Sequence, residues 1–272
     1  MQSSNPVFAR SEGFNGRRTS QSGVTYPGYN EPSSWGAGSP QAPETYAPAP
    51  PTGPMTIDSV VQKSAITLGL VILSAALTWV FIPDELLGMA WMFGAFAGLG
   101  LALVISFKRN ISPGLVLAYA AVEGLFVGAM SKTFEAMWPG IVMSAVLGTL
   151  AAAAGTLAAY KFFNIQVSDR FRKFTVAAMF GFVGVMLFSF VLSLFGIDVG
   201  LFGFGFTGLV MSLIGLVLGV FMLILDFDFV ERGVAAGLPE VESWRAAFGL
   251  TVTMIWIYIQ MLRILAILRG QD

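Results

Sequence analysis

The chain contains no cysteine and no histidine. Without cysteine it can form no disulfide, and it offers no thiolate to a metal or a substrate. Without histidine it lacks the imidazole that His-ligated zinc sites, HExxH proteases and Ser–His or Cys–His nucleophile pairs require. Charge is also scarce. Only 11% of the 272 residues are Asp, Glu, Lys or Arg, where a soluble domain carries about 25%. The net charge of −1 makes no electrostatic case for nucleic acid, which is read first through its phosphates. What is abundant is apolar: 56% of the residues are hydrophobic and the mean hydropathy is +0.75. The lipid bilayer is the partner this composition implies, and the protein class is a polytopic membrane protein.

Proline is unevenly spread. Nine of the thirteen prolines fall in residues 1–54, among many Gly and Ser and very little Leu or Ile. Such a segment cannot bury enough apolar surface to offset its ordering entropy. A disordered cytoplasmic tail is therefore expected over residues 1–56, followed by a membrane domain over 57–272. The tail has no continuous apolar run of the signal-peptide kind. Tyr26, Tyr29 and Tyr46 suit either a docking tail or a merely solvated one.

Beyond the tail, apolar runs long enough to cross a ~30 Å hydrocarbon core recur at 65–82, 86–107, 113–131, 140–160, 174–195, 208–230 and 247–268. The expected fold is an all-α membrane protein, a bundle of seven transmembrane helices. Pro83, Pro113, Pro139 and Pro239 all fall at the boundaries of these runs, where proline starts or stops a helix at little cost. Lys and Arg crowd one side. Arg10, Arg17, Arg18 and Lys63 precede the first run, and Lys108 and Arg109 follow the second. Lys161, Arg170, Arg172 and Lys173 separate the fourth and fifth, and Arg232 and Arg245 separate the sixth and seventh. The other side has only Lys132 and Arg269. By the positive-inside rule the N-terminus is cytoplasmic and the C-terminus outside. Three GxxxG pairs, Gly94–Gly98, Gly124–Gly128 and Gly215–Gly219, mark seams where helix backbones can approach closely.

Ionisable residues inside such spans are costly, and they point to function unless they face protein or water. Glu123, Asp226, Asp228 and Arg263 qualify, with Gln260 as a further buried polar group. Ser212, Gly215, Gly219, Met222 and Asp226 share one helical face, so Asp226 should point into the bundle without a local partner. Asp228 is rotated by about 200° from it and has Arg232 at i+4, an ion-pair spacing. It reads mainly as an interfacial residue. Tyr119 and Glu123 are also i and i+4, so the phenol can hydrogen-bond the carboxyl. In the last run Gly249, Thr253, Trp256, Gln260 and Arg263 form a polar stripe. These groups suggest a column, with Asp226 at the inner mouth and Glu123, Gln260 and Arg263 deeper. An acid left unpaired there would be sensitive to protons, and two acids with carbonyl oxygens could instead hold Ca²⁺.

MTIDSVVQKSAITLGLVILSAALTW at 55–79, AYAAVEGLFVGAMS at 118–131, LDFDFVERG at 225–233 and WIYIQMLRILA at 256–266 resemble the Bax inhibitor/YccA family, also called the transmembrane Bax inhibitor motif family. So does SSNPVF at 3–8. The likeness is strongest to its actinobacterial-type branch. It implies a seven-helix bundle and a pH-dependent Ca²⁺ leak gated by an aspartate pair on the last two helices. Asp226 matches the sixth-helix aspartate. The seventh-helix aspartate falls on Gln260, by the preceding Tyr258. A carboxamide cannot share a proton with Asp226 as a second carboxylate would.

The function expected is thus a regulated cation leak in a bacterial cytoplasmic membrane, with Ca²⁺ or H⁺ as the permeant ion and no cofactor. The alternative is a non-conducting membrane protein that modulates another complex, such as a membrane protease. An intramembrane enzyme is not expected, because there is no GxGD run at Asp226 and no activated serine. Orientation can be tested directly. A C-terminal reporter should be active outside the cytoplasm, and activity only in the cytoplasm would contradict the seven-span reading.

Overall fold

A computed structural model describes residues 53–197 and 200–270. The expected tail lies outside the described residues up to position 52. Over the rest the chain forms seven helices: α1 (Ile57–Phe81), α2 (Leu87–Phe107), α3 (Pro113–Met137), α4 (Ile141–Phe162), α5 (Asp169–Leu194), α6 (Phe206–Ala235) and α7 (Glu242–Arg269). Each is long and apolar enough to cross a bilayer. A short 3-10 turn, Asp84–Leu86, joins α1 to α2.

Local chemistry sets the helix ends. Thr56 and Ser59 form a reciprocal capping box at the start of α1, which satisfies two backbone donors. Pro113 occupies the first turn of α3, where its missing N–H costs nothing. The Ser168 hydroxyl accepts from the Phe171 N–H at the start of α5. Beyond α6, Gly237 adopts φ 63°. The Leu238 N–H then donates to the Gly233 carbonyl at 3.0 Å and the Gly237 N–H to the Val234 carbonyl at 3.1 Å. This is a Schellman ending, and glycine takes the left-handed position without a Cβ clash.

The helices outrun the apolar windows. α5 starts at Asp169 rather than 174, α7 starts at Glu242 rather than 247, and α6 runs on to Ala235. Hydropathy marks the stretch that touches hydrocarbon, whereas the backbone ladder continues into polar turns until a cap ends it. Consequently Lys63, expected ahead of the first helix, lies within α1 and is buried. Gly53–Met55, expected in the tail, pair with the α6–α7 linker instead.

α7 occupies the centre, packed against α1, α3, α4 and α6. Its polar side chains are tied to different neighbours. Ser243 meets Ser59 at 2.7 Å and Thr251 meets Thr67 at 2.8 Å, both on α1. Tyr258 meets Ser131 of α3 at 2.6 Å. Thr253 donates to Asp226 at 2.6 Å, and the Trp256 indole donates to the Gly215 carbonyl at 2.8 Å, both on α6. Lipid cannot satisfy such groups, so each bond also fixes the rotation of α7.

The three GxxxG pairs sit on three different seams. Gly94 lies against Phe126 of α3, Gly124 and Gly128 lie against α1, and Gly215 and Gly219 lie against α7. The connections tie the bundle at two ends. One, here the basic end, carries the start of α1 and the α2–α3, α4–α5 and α6–α7 connections, with most of the Lys and Arg. At the opposite end Lys132 donates to the Ile82 carbonyl and pairs with Asp84.

A Cβ at Gly128 would stand 2.6 Å from the Ala75 carbonyl oxygen and 2.8 Å from its Cα. Gly128→Val should therefore lower the melting temperature in detergent sharply, because overpacking typically costs about 1–3 kcal/mol. Gly100→Ala, with nothing within 4 Å, should be neutral or slightly stabilising, since alanine gains about 0.5–1 kcal/mol over glycine within a helix.

Candidate functional site

Asp226 and Asp228 lie in the last third of α6; Asp226 faces inward as its spacing suggests, whereas Asp228 is more deeply covered than its spacing suggests. Asp228, expected at the interface, is only 5% exposed. Arg232 donates to it at 2.9 Å, as the i+4 spacing predicts. Arg172 of α5 adds a second ion pair at 2.6 Å. Arg232 also donates to the Val167 carbonyl at 2.8 Å. The carboxylate is covered because α5 and the α4–α5 connection fold over that face of α6, a tertiary fact with no trace in the helical wheel. Arg172 was expected only as part of the charge bias, and no local spacing links it to Asp228.

Asp226 does face α7, on the small-residue face with Ser212, Gly215 and Gly219. It remains partly exposed. Its one hydrogen-bond donor among the described residues is Thr253, at 2.6 Å, and no Lys or Arg pairs with it there. Gly249 leaves room beside it: a Cβ there would be 3.1 Å from Asp226 Oδ1. Asp226 lines a cleft of about 660 Å³ at the basic end, walled by Ser106, Phe229, Leu238, Ala246 and Phe248. Arg172, Arg232 and Arg245 line the same cleft. Two of these three charges are offset, by Asp228, which Arg172 and Arg232 share, and by Glu242, which Arg245 meets at 2.6 Å.

The remaining candidates do not gather around Asp226. Gln260, expected where a second acid of a gating pair would stand, lies against Gly215. That is eleven residues along α6 from Asp226, or about 16 Å at 1.5 Å per residue. Its Oε1 and the Ser212 hydroxyl are buried without a hydrogen-bond partner among the described residues. Arg263 sits toward the opposite end, donating to the Phe202 carbonyl at 2.7 Å and lying over its ring. Glu123 presses its carboxylate against Gly98, so it occupies the α2–α3 seam. Tyr119 makes no hydrogen bond to it among the described residues. Its ring packs edge-on against Phe248, centroids 5.0 Å apart, in a cluster with Ile105, Ile111 and Val116. The expected column thus resolves into separate sites along the α6–α7 and α2–α3 seams.

The sequence holds a signal for the true partner of Asp226. In an antiparallel hairpin, facing residues lie equally far from the turn. Around residues 237 and 238 this pairs Gly215 with Gln260, Gly219 with Trp256 and Asp226 with Gly249, as the close approaches show. Thr253 is one turn beyond Gly249 on the same stripe. Gln260 therefore stands two turns further along α7 than Thr253, and it faces Gly215 rather than Asp226.

The Asp228 pairs make a sharp stability prediction. Asp228→Asn leaves two guanidinium groups facing a neutral amide. Breaking a buried pair costs about 3–5 kcal/mol, and the half-exposed arginines reduce this to roughly 1–2 kcal/mol. Thermal melting in detergent should show a clear loss for Asp228→Asn. It should show little change for Asp226→Asn, which forfeits one neutral donor.

A family model described as Bax inhibitor 1 like matches residues 5–270. An uncharacterised protein of Chlamydia muridarum (strain MoPn / Nigg) is 27% identical over 147 residues, 52% of this chain and 59% of that protein. The match therefore spans somewhat over half of the relative's length. With seven apolar helices among the described residues, α7 at their centre, and a match that covers nearly the whole sequence, the chain belongs to the Bax inhibitor 1-like family of multi-pass membrane proteins.

Proposed function

We propose that this protein is a regulated cation leak whose inner mouth is the Asp226 cleft. The observation that carries this reading is the state of Asp226: a carboxylate within a membrane helix, reachable through a cleft, held by one threonine and lacking a cationic partner. Such a group is costly unless it meets water, a proton or a cation. The three arginines of the cleft oppose this only in part, because Asp228 and Glu242 offset two of their three charges. No three acidic groups converge among the described residues, so an ion at Asp226 meets at most one further acid there. That suits transit better than tight retention, since Ca²⁺ held firmly takes six to eight oxygens. Further along the α6–α7 seam stand the Ser212 and Gln260 oxygens that lack partners. They offer polar atoms deeper in the bundle. The host is a bacterial cytoplasmic membrane, with the basic end inside, the N-terminus cytoplasmic and the C-terminus outside, as the Lys/Arg bias requires.

On this reading Thr253 stands where a second acid would complete a proton-sharing pair. Two like-charged carboxyls in low dielectric resist double ionisation and can share one proton. Ca²⁺ flux into liposomes should fall severalfold for Asp226→Asn. Thr253→Asp should give flux a steeper dependence on pH between about pH 5 and pH 8. Gln260→Glu should leave the profile nearly unchanged, because that side chain does not reach Asp226. Absence of flux from wild type at every pH would sink the leak and favour the non-conducting modulator. Equal effects of Gln260→Glu and Thr253→Asp would refute the assigned partner.

A further inference from the structure

We infer that the segment Gly53–Lys63 is a latch that holds the α6–α7 linker against the Asp226 cleft and so sets how widely the cleft opens. The inference rests on the cleft being the inner mouth of the path. Its contacts, however, can be tested without any flux.

Three separate bonds fasten the linker. The first is backbone pairing. The Met55 N–H donates to the Leu238 carbonyl at 2.7 Å and the Glu240 N–H to the Gly53 carbonyl at 2.8 Å, which sets Pro54 opposite Pro239. Proline has no N–H, yet nothing is lost here. In this antiparallel register the facing pair makes no hydrogen bonds of its own, and its neighbours make both. The second is charge. The Lys63 ammonium donates to the Glu240 carboxylate at 2.8 Å and to the Glu240 carbonyl at 3.0 Å. The third is packing. Met55 is 1% exposed, and its sulfur lies 2.9 Å from where a Gly233 Cβ would stand, with the Leu238 side chain beside it.

The linker these bonds hold is a wall of the cleft. Gly233, Ala236 and Leu238 line the same cavity as Asp226. The Schellman ending fixes where α6 stops, and beyond it the backbone at Leu238 and Glu240 is held by the latch as well as by the first turn of α7. Part of the helix packing is separable from the latch. Ser59 and Lys63 touch α7 at the Ser243 hydroxyl and the Trp244 ring, whereas the Thr67–Thr251 bond lies one turn further along α1 and shares no residue with the latch. A few hydrogen bonds and one methionine are strong enough to be populated and weak enough to open, as gating elements require.

The chain has no cysteine, so a single introduced thiol reports on the cleft alone. Leu225 lines the cleft, is half-buried and lies outside the cluster that Met55 forms with Val60 and Ala246. In the full chain carrying Leu225→Cys, a membrane-impermeant maleimide should react slowly. Adding Met55→Ser and Lys63→Met should raise the rate about tenfold, the factor that losing one or two net hydrogen bonds allows. Deleting residues 1–50, which spares the latch, should leave the rate unchanged. An unchanged rate in the latch variant overturns the proposal. So does an equal rise at Ala129→Cys, a buried site in α3, because that would mean general loosening. A second variant leaves the natural contacts in place. Pro54→Cys with Pro239→Cys should form a disulfide, since facing residues in this register are close enough to bridge. Hydrogen–deuterium exchange over residues 233–241 should be slower when the pair is oxidised than when it is reduced. Equal exchange in both states would also overturn the latch. Both readouts are independent of conduction, so absent flux with a working latch would refute the leak and leave this inference standing.

Discussion

The structure depends on the need to satisfy polar side chains on a helix that lies away from water. α7 carries Ser243, Thr251, Thr253, Trp256, Tyr258, Gln260 and Arg263 through the middle of the bundle. Each of these except Gln260 finds a partner in α1, α3, α6 or the α5–α6 connection. In a bilayer, apolar contact alone does not choose between rotations of a helix, because lipid is as apolar as leucine. The polar bonds make that choice. They also explain why the glycines of α6 lie under Trp256, Ile257 and Gln260: close approach is what brings the donors within reach.

The two aspartates show how neighbours in sequence can serve different ends. Asp228 is neutralised by two arginines and fastens α5 to α6. Asp226, two residues away, keeps its carboxylate in a cleft with a single hydroxyl donor. One is a structural tie and the other is available chemistry. Local sequence separates them, since two residues turn a helix by about 200°. It does not say which one is covered, because the cover comes from α5 and from the chain near Val167.

Hairpin geometry decides which α7 residue faces Asp226. Counting outward from the linker leads to Gly249 and Thr253, and the same count pairs Gly215 with Gln260. The α7 side chain that reaches Asp226 is thus a threonine. A hydroxyl can donate to Asp226 and cannot carry a charge beside it. Proton sharing between two carboxylates is thereby removed from this site, while hydrogen bonding to the first is kept.

Composition and periodicity alone determined the seven helices, the proline boundaries, the three glycine seams and the inward face of α6. Each of these follows from the need to match a hydrocarbon slab with hydrogen-bonded backbone, a constraint written locally along the chain. The Asp228–Arg232 pair was legible for the same reason, since its partners are one turn apart. Only the tertiary structure decided that Arg172 joins Asp228, that Glu123 enters the α2–α3 seam, that Arg263 ends on the Phe202 carbonyl and that Lys63 reaches Glu240. Those contacts join residues tens to nearly two hundred positions apart. Long flexible side chains can find several partners at such range. Which one they meet depends on how neighbouring helices are rotated and staggered, and no single helix encodes that.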